Sequence, residues 1–149
     1  MVSRVVLLDA GPLGLATHPG GSAGAVECAK WLQALAESGV RVVVPEVADY
    51  EVRRELTRAG RTAGIARLDA LAVTAEYLPI TTVAMRRAAE LWADARRAGR
   101  PTAGAESLDG DVILAAQAQT MGADEVMVAT TNVAHLERYV TAALWSEIR

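Results

Sequence analysis

The sequence predicts an α/β fold in which a parallel sheet is covered by helices on both faces. Three observations predict it. Short β-branched apolar runs alternate with stretches of helical periodicity. The runs are apolar almost throughout, as in strands buried on both sides. A chain of 149 residues that is 52% hydrophobic can bury one substantial core and is too short for two ordinary domains, so one domain over residues 1–149 is expected.

Residues 2–8 read as the first strand, which ends at Asp9. Gly11-Pro12 is expected to break regular structure, and residues 17–22 form a loop whose Ser22 caps the next helix. That helix covers 25–37, with Cys28, Trp31, Leu32 and Leu35 on one face, and stops at Gly39. Residues 41–44 are the second strand, closed by Pro45. From Glu46 the pattern is helical, with Val47, Val52 and Leu56 toward a core, up to a break near Gly60; a further helix spans 63–74. Residues 77–80 are a short strand, placed at an edge by Pro79. Residues 82–98 form a long amphipathic helix expected to face the core with Met85, Ala88, Ala89, Trp92 and Ala95, and Gly99 and Pro101 stop it. A loop at 101–107 leads to a helix over 111–121, which has no charge after its first position and is therefore buried all round. Residues 126–129 are the next strand, 133–139 a short helix and 143–148 a last strand-like segment. No internal repeat, low-complexity segment or linker interrupts this order.

No apolar run approaches the roughly 20 residues that span a bilayer. The run at 5–8 is followed at once by an acid instead of a cleavage site, so no membrane association and no signal peptide are expected. The single cysteine, Cys28, cannot close an internal disulfide and is expected as a buried, inert thiol in a reducing, cytoplasmic compartment. A formal charge of −3 argues against a passive nucleic-acid binder, whose footprint is basic. The distribution says more than the total. Lys30 is the only lysine, and arginines cluster at Arg53, Arg54, Arg58 and Arg61 and again at Arg96, Arg97 and Arg100. Such clusters suit phosphate, which a planar guanidinium grips bidentately, and they equally suit a solvated surface in an arginine-rich chain.

In open α/β sheets the functional crevice lies beyond the carboxyl ends of the strands. Asp9 ends the first strand there, Asn132 follows the fourth, and Asp111 opens the helix that leads into it. Glu51, about two helical turns past the second strand, can lean back to the same edge. Each has an ordinary explanation by itself: Asp9 as a turn former, Glu51 as part of a solvated face paired to Arg53, Arg54 and Arg58, and Asp109 and Asp111 as helix cap and first-turn acid. Those explanations leave the convergence unaccounted for, and like charges brought together are usually reconciled by a metal ion. Carboxylates without Cys or His ligands select Mg2+ or Mn2+ over zinc or iron, and oxygen-ligated cations of this kind serve phosphate chemistry. His18 and His135 lack metal-binding spacing and are expected as ordinary surface or loop residues.

Four blocks carry a resemblance: Val6-Leu7-Leu8-Asp9-Ala10-Gly11-Pro12-Leu13, Val44-Pro45-Glu46-Val47-Ala48-Asp49-Tyr50-Glu51, Leu108-Asp109-Gly110-Asp111-Val112-Ile113 and Val128-Ala129-Thr130-Thr131-Asn132. In this order, over nearly the whole chain, they resemble the acidic blocks of the PIN-domain nucleases. The resemblance implies a single PIN-like domain, an α/β/α sandwich around a parallel sheet, with Mg2+- or Mn2+-dependent endoribonuclease activity on RNA. Many bacterial members of this size are VapC-type toxins, often homodimeric and neutralised by a small antitoxin, so RNA, an antitoxin and a second copy of the chain are the partners implied. Carried across by position, Asp9, Glu51 and Asp111 match the catalytic, metal-binding acids, Asp109 a frequent accessory acid, Asn132 the fourth metal position and Thr130 the hydroxyl residue that supports the site. Asp111 is expected in the first helical turn as the primary ligand and Asp109 in the loop as an auxiliary one.

Two departures bear on that transfer. Ala10 stands where many relatives carry Thr or Ser, which removes a hydrogen bond that would fix a carboxylate. Asn132 is neutral and does less to hold a second cation, so one tight and one weak metal are expected. Both departures favour an alternative, a PIN fold kept as an RNA-binding or protein-interaction module with little catalysis. A phosphatase with an aspartyl nucleophile at Asp9 is disfavoured, because Gly11 stands where that chemistry needs its second acid.

Overall fold

Five short runs become the strands of one sheet in the computed structural model of the chain, which describes residues 4–18, 20–99 and 105–149, the side chains of 105–107 apart. Val2 and Ser3 of the expected first strand, Pro19, Arg100 and residues 101–104 of the expected loop lie outside the described residues. The strands are β1 (Arg4–Leu8), β2 (Arg41–Pro45), β3 (Glu76–Leu78), β4 (Glu125–Thr130) and β5 (Ala142–Leu144). They lie in the order β3-β2-β1-β4-β5, every pair parallel, with Val6 opposite Val42 on one side and Met127 on the other. The helices are α1 (Ala10–Thr17), α2 (Ala23–Glu37), α3 (Glu46–Arg58), α4 (Thr62–Thr74), α5 (Thr82–Ala98) and α6 (Ala105–Thr120).

The central strand shows why two helical layers form. Successive side chains of a strand point to opposite faces, so an apolar run must be covered twice. Val6 and Leu8 enter a core with Leu13 of α1, Trp31 and Leu35 of α2 and Leu68 of α4, while Val5 and Leu7 enter another with Leu114 and Ala118 of α6. A third cluster packs Ala84, Ala88, Leu91 and Ala95 of α5 against Leu108, Val112, Ala115 and Ala116 of α6. The result is the α/β/α sandwich expected from the sequence. Gln117 is buried within it, accepting from the Val47 amide at 3.3 Å and donating to the Leu78 carbonyl at 2.9 Å, which ties α6 to the ends of β2 and β3. Ser22 caps α2 as expected, accepting from the Ala25 amide at 3.2 Å. β3 is at the sheet edge, and burial pushes the Cys28 thiol up to about 11. No helix among the described residues is long and apolar enough to cross a membrane.

Four local expectations change. Gly11-Pro12 does not break the chain: both residues lie in the first turn of α1, where a proline's missing N–H is no loss, and Asp9 caps the helix. α5 has the expected bounds but a rotated face. Met85 and Trp92 are exposed, because close approach to α6 puts the small residues Ala84, Ala88 and Ala95 on the facing stripe. α6 begins at Ala105, so Asp109 is inside the helix and Asp111 is in its second turn instead of its first. After β4 the expected helix is a 3-10 turn, Val133–His135, and the final segment is the short β5 followed by a second 3-10 turn, Trp145–Glu147.

Leu8 is fully buried in the central strand, one residue before Asp9. Leu8→Ala is expected to cost about 2–5 kcal/mol, read as a lower urea midpoint with an unchanged slope. A loss below about 1 kcal/mol would contradict a core packed on both faces of β1.

Candidate active site

The strand order reverses between β1 and β4, and a crevice at such a switch point opens beyond the carboxyl ends of the two strands. Asp9 is the first residue past β1. Its amide still bonds the Ala129 carbonyl of β4 at 2.9 Å, so its backbone is held by the sheet. Its carboxylate is held twice more: Oδ1 accepts from the Ala10 amide at 2.8 Å and Oδ2 from the Thr130 hydroxyl at 2.7 Å. Thr130, fully buried at the end of β4, also accepts from the Asn132 amide through the same oxygen at 3.0 Å. The main chain of Ala10 and the hydroxyl of Thr130 therefore fix Asp9 without a Ser or Thr side chain at position 10.

Glu51 arrives from α3 and Asp111 from α6. The Glu51 carboxylate lies against Gly110 of α6, where a β-carbon would stand 2.9 Å from its Oε1, so the missing side chain leaves the carboxylate room. Burial and the negative charges of Asp9 and Asp111 raise the pKa of Glu51, against the opposing pull of Arg54. Asp111 is raised further, from 3.8 to about 7, chiefly by burial and then by the charge of Asp9, with Arg138 acting the other way. Three carboxyl groups from three separate elements thus feel one another at one edge of the sheet.

Of the remaining candidates, Thr130 lies beside Asp9, donating its hydroxyl to that carboxylate. Asn132 is exposed, with its amide nitrogen 3.2 Å from His135 Nε2. Asp109 is exposed and two positions from Asp111, which puts it about 200° around the helix and away from the Asp111 side. His135, expected as an ordinary surface residue, is instead part of the crevice: its Nδ1 lies 3.5 Å from Asp111 Oδ2. Its Nε2 faces the Asn132 side-chain amide, so the ring bridges Asn132 and Asp111. The signal available in the sequence was position, since His135 falls in the turn that leaves β4 directly after Asn132. Arg53 is occupied elsewhere, paired to Asp49 at 3.0 Å and to Asp69 at 2.8 Å.

The donor set facing the crevice is oxygen, which suits Mg2+ or Mn2+, and the raised Asp111 and Glu51 mark a place where negative charge lacks compensation. Among the described residues no group of three or more His, Cys, Asp or Glu side chains is placed to hold a metal ion as it stands, so Asp9, Glu51 and Asp111 would have to draw together around a cation.

In cation-free protein, a carboxyl whose pKa rises on folding contributes stability that is complete below its unfolded value and is lost as pH rises through its folded one. Asp111 should therefore make the chain less stable as pH climbs from about 4 toward about 7, and Glu51 acts in the same direction. In melts with a chelator present, Asp111→Asn is expected to flatten that decline and to melt higher than the unmodified chain at pH 8. Parallel curves for the two proteins would contradict the crowding of these acids.

Comparison with known proteins places this arrangement. No curated protein matches the chain. Among solved structures it is similar to VapBC2 from Rickettsia felis bound to a fragment of its promoter DNA (TM-score 0.71, 13% identity, 95% of this chain and 99% of that one). It is also similar to FitAcB from Neisseria gonorrhoeae (0.70, 18%, 96% and 99%) and to DNA-bound VapBC from Salmonella typhimurium (0.72, 17%, 97% and 99%). At these identities the likeness is one of fold. The PIN-domain family model matches residues 6–142, a span that runs from β1 through Asp9, Glu51, Asp111 and Asn132 into β5, and the chain belongs to the PIN-domain family.

Proposed function

We propose that this chain is a Mg2+- or Mn2+-dependent endoribonuclease of the cytoplasm, acting as the toxin of a toxin–antitoxin pair. One observation carries the catalytic part: Asp9, Glu51 and Asp111 come from three elements to one crevice, where burial and the charge of Asp9 raise the proton affinity of Glu51 and Asp111. PIN-domain proteins are generally nucleases, and the VapBC folds that resemble the chain support an antitoxin as its partner. A homodimer is the working unit in this reading.

When bound, a divalent cation supplies acidity to water and charge stabilisation to a phosphodiester. The residues do the rest. Asp9, clamped by the Ala10 amide and the Thr130 hydroxyl, gives the site a fixed carboxylate. Glu51 and Asp111 supply the remaining negative charge, and His135, 3.5 Å from Asp111 Oδ2, steadies that carboxylate. Asn132 offers a neutral oxygen at the rim, and Asp109, on the far side of its helix, is left with an outer role.

Cleavage of structured RNA with Mn2+ tests this. Asp9→Asn and Asp111→Asn are each expected to lose at least about 100-fold in rate, chelator should abolish cleavage, and Asp109→Asn should lose less than either. Equal cleavage by all these proteins would place the chemistry elsewhere, and a larger loss at Asp109 would reverse the ranking of the pair. The neutral Asn132 and the absence, among the described residues, of three His, Cys, Asp or Glu side chains placed to hold a metal ion favour the second reading, an RNA-binding or protein-interaction module with little catalysis. It predicts RNA bound and left intact with Mn2+ present.

A further inference from the structure

We infer that the groove between α1, α3 and the turn into α4 is a subsite for single-stranded RNA beside the cation site, with backbone phosphates on Arg58 and Arg61 and an unpaired base on the Tyr50–Arg54 pair. The identity of the ligand rests on the nuclease reading; the position of the groove and its charges do not.

The groove holds about 490 Å³ and is continuous with the crevice, since Ala10 and Glu51 line its inner end. Its lining also carries Arg54, Arg58 and Arg61, with Glu55 among them. Arg54 and Arg58 are three and seven residues past Glu51, so they follow one stripe of α3 and reach about 10 Å along its axis. Arg61 lies beyond the end of that helix and is brought back by a tight turn. Gly60 there has φ +66°, a left-handed conformation that favours glycine, and the Arg61 amide bonds the Leu56 carbonyl at 2.8 Å. A polyanionic strand with one phosphate at the carboxylate site would meet guanidinium groups at the phosphates that follow it.

Arg58 and Arg61 also have charge to spare. Arg61 has no acidic partner among the described residues. Arg58 pairs only with Glu55, and both side chains are well exposed, so that pair is easily released. Arg53 on the same helix is held by two aspartates and Arg97 by Asp94, while Arg96 lies over the Trp92 ring.

The Tyr50 ring supplies a different kind of surface. It is 59% exposed beside Glu51, with the Arg54 guanidinium 5.1 Å from its centroid. Unpaired bases stack on exposed aromatic rings and guanidinium planes, whereas bases in a duplex are already stacked and face inward. The platform therefore selects single strands.

The test is fluorescence anisotropy of a short fluorescein-labelled single-stranded RNA, and of its duplex, with the full chain in EDTA so that nothing is cut. Arg58→Ser with Arg61→Ser is expected to weaken single-strand binding about tenfold and to lower the slope of log K against log salt by about 1.4, as two lost phosphate contacts require. Arg96→Ser with Arg97→Ser, equal in charge removed, should leave both unchanged. Tyr50→Ala should weaken single-strand binding at least about fivefold and leave the duplex unaffected. Circular dichroism melts establish that each variant is folded.

Unchanged RNA affinity in folded Arg58→Ser/Arg61→Ser, or an equal loss in the Arg96/Arg97 variant, would overturn the inference while leaving the nuclease reading intact if RNA is still cut with Mn2+. The opposite result is as clear. RNA held through Arg58 and Arg61 but never cut supports the subsite and overturns the nuclease reading. Intact RNA affinity with lost binding of a labelled poly-glutamate peptide would assign the groove to an acidic protein segment and overturn the inference.

Discussion

Mutual repulsion among Asp9, Glu51 and Asp111 is the constraint on which the rest of the structure turns. Folding brings three acids from three elements to one partly buried edge, and each of two of them is driven toward its protonated form by burial and by the charge of Asp9. A fold that only needed stability would place apolar or singly charged groups there, because uncompensated buried charge is costly. The surrounding structure keeps the acids in place nonetheless. Asp9 is anchored by the sheet, by the first amide of α1 and by the Thr130 hydroxyl, and Gly110 lets the Glu51 carboxylate lie against α6. A second glycine, Gly11, plays a similar part, since a β-carbon there would stand 2.6 Å from the Thr131 hydroxyl oxygen just past β4.

The scaffold that imposes this arrangement is built from small apolar units. Valines and leucines of β1, β2 and β4 fill both faces of the sheet, and alanines let α5 lie close along α6. Gln117 and Asp49 are buried polar exceptions, and both are satisfied: Gln117 by two backbone groups, Asp49 by Arg53 and the Tyr77 hydroxyl. They tie α6, α3 and the strand ends together close to the acids. In a PIN domain with this scaffold, charge at the crevice is the place where a divalent cation and a phosphate would meet.

Much of the fold was legible because its strands are β-branched apolar runs and its helices stop near Gly39, Gly60 and Gly99, each of which has a positive φ. The convergence of Asp9, Glu51 and Asp111 on one sheet edge could be read from their places relative to the predicted strands and helices. Other features depend on packing, which no local pattern records. Hydropathy chose Met85 and Trp92 as the buried face of α5, but close helix contact favours alanine over bulk. Gly11-Pro12 looked like a break because proline is usually a terminator, yet a helix tolerates it in the first turn. Asp109 and Asp111 looked like cap and first-turn acid because α6 was expected to start later, and moving its start to Ala105 sends the two carboxylates to different sides. His135 meets Asp111 only through the turn after β4, a contact across the chain that residue spacing could not reveal.

The cation site and the cationic groove would together give one strand of RNA a path, from the Tyr50 platform and the Arg58 and Arg61 phosphate contacts to the carboxylates that act on it. The shared nature of the carboxylate site is what holds that picture together. Titration with Mn2+, followed by loss of the free-ion paramagnetic resonance signal, tests it most directly when the chain is compared with Asp9→Asn, Glu51→Gln and Asp111→Asn. If the three acids hold one ion, each substitution weakens binding at least about tenfold. Unchanged Mn2+ affinity in any of the three folded variants would contradict it.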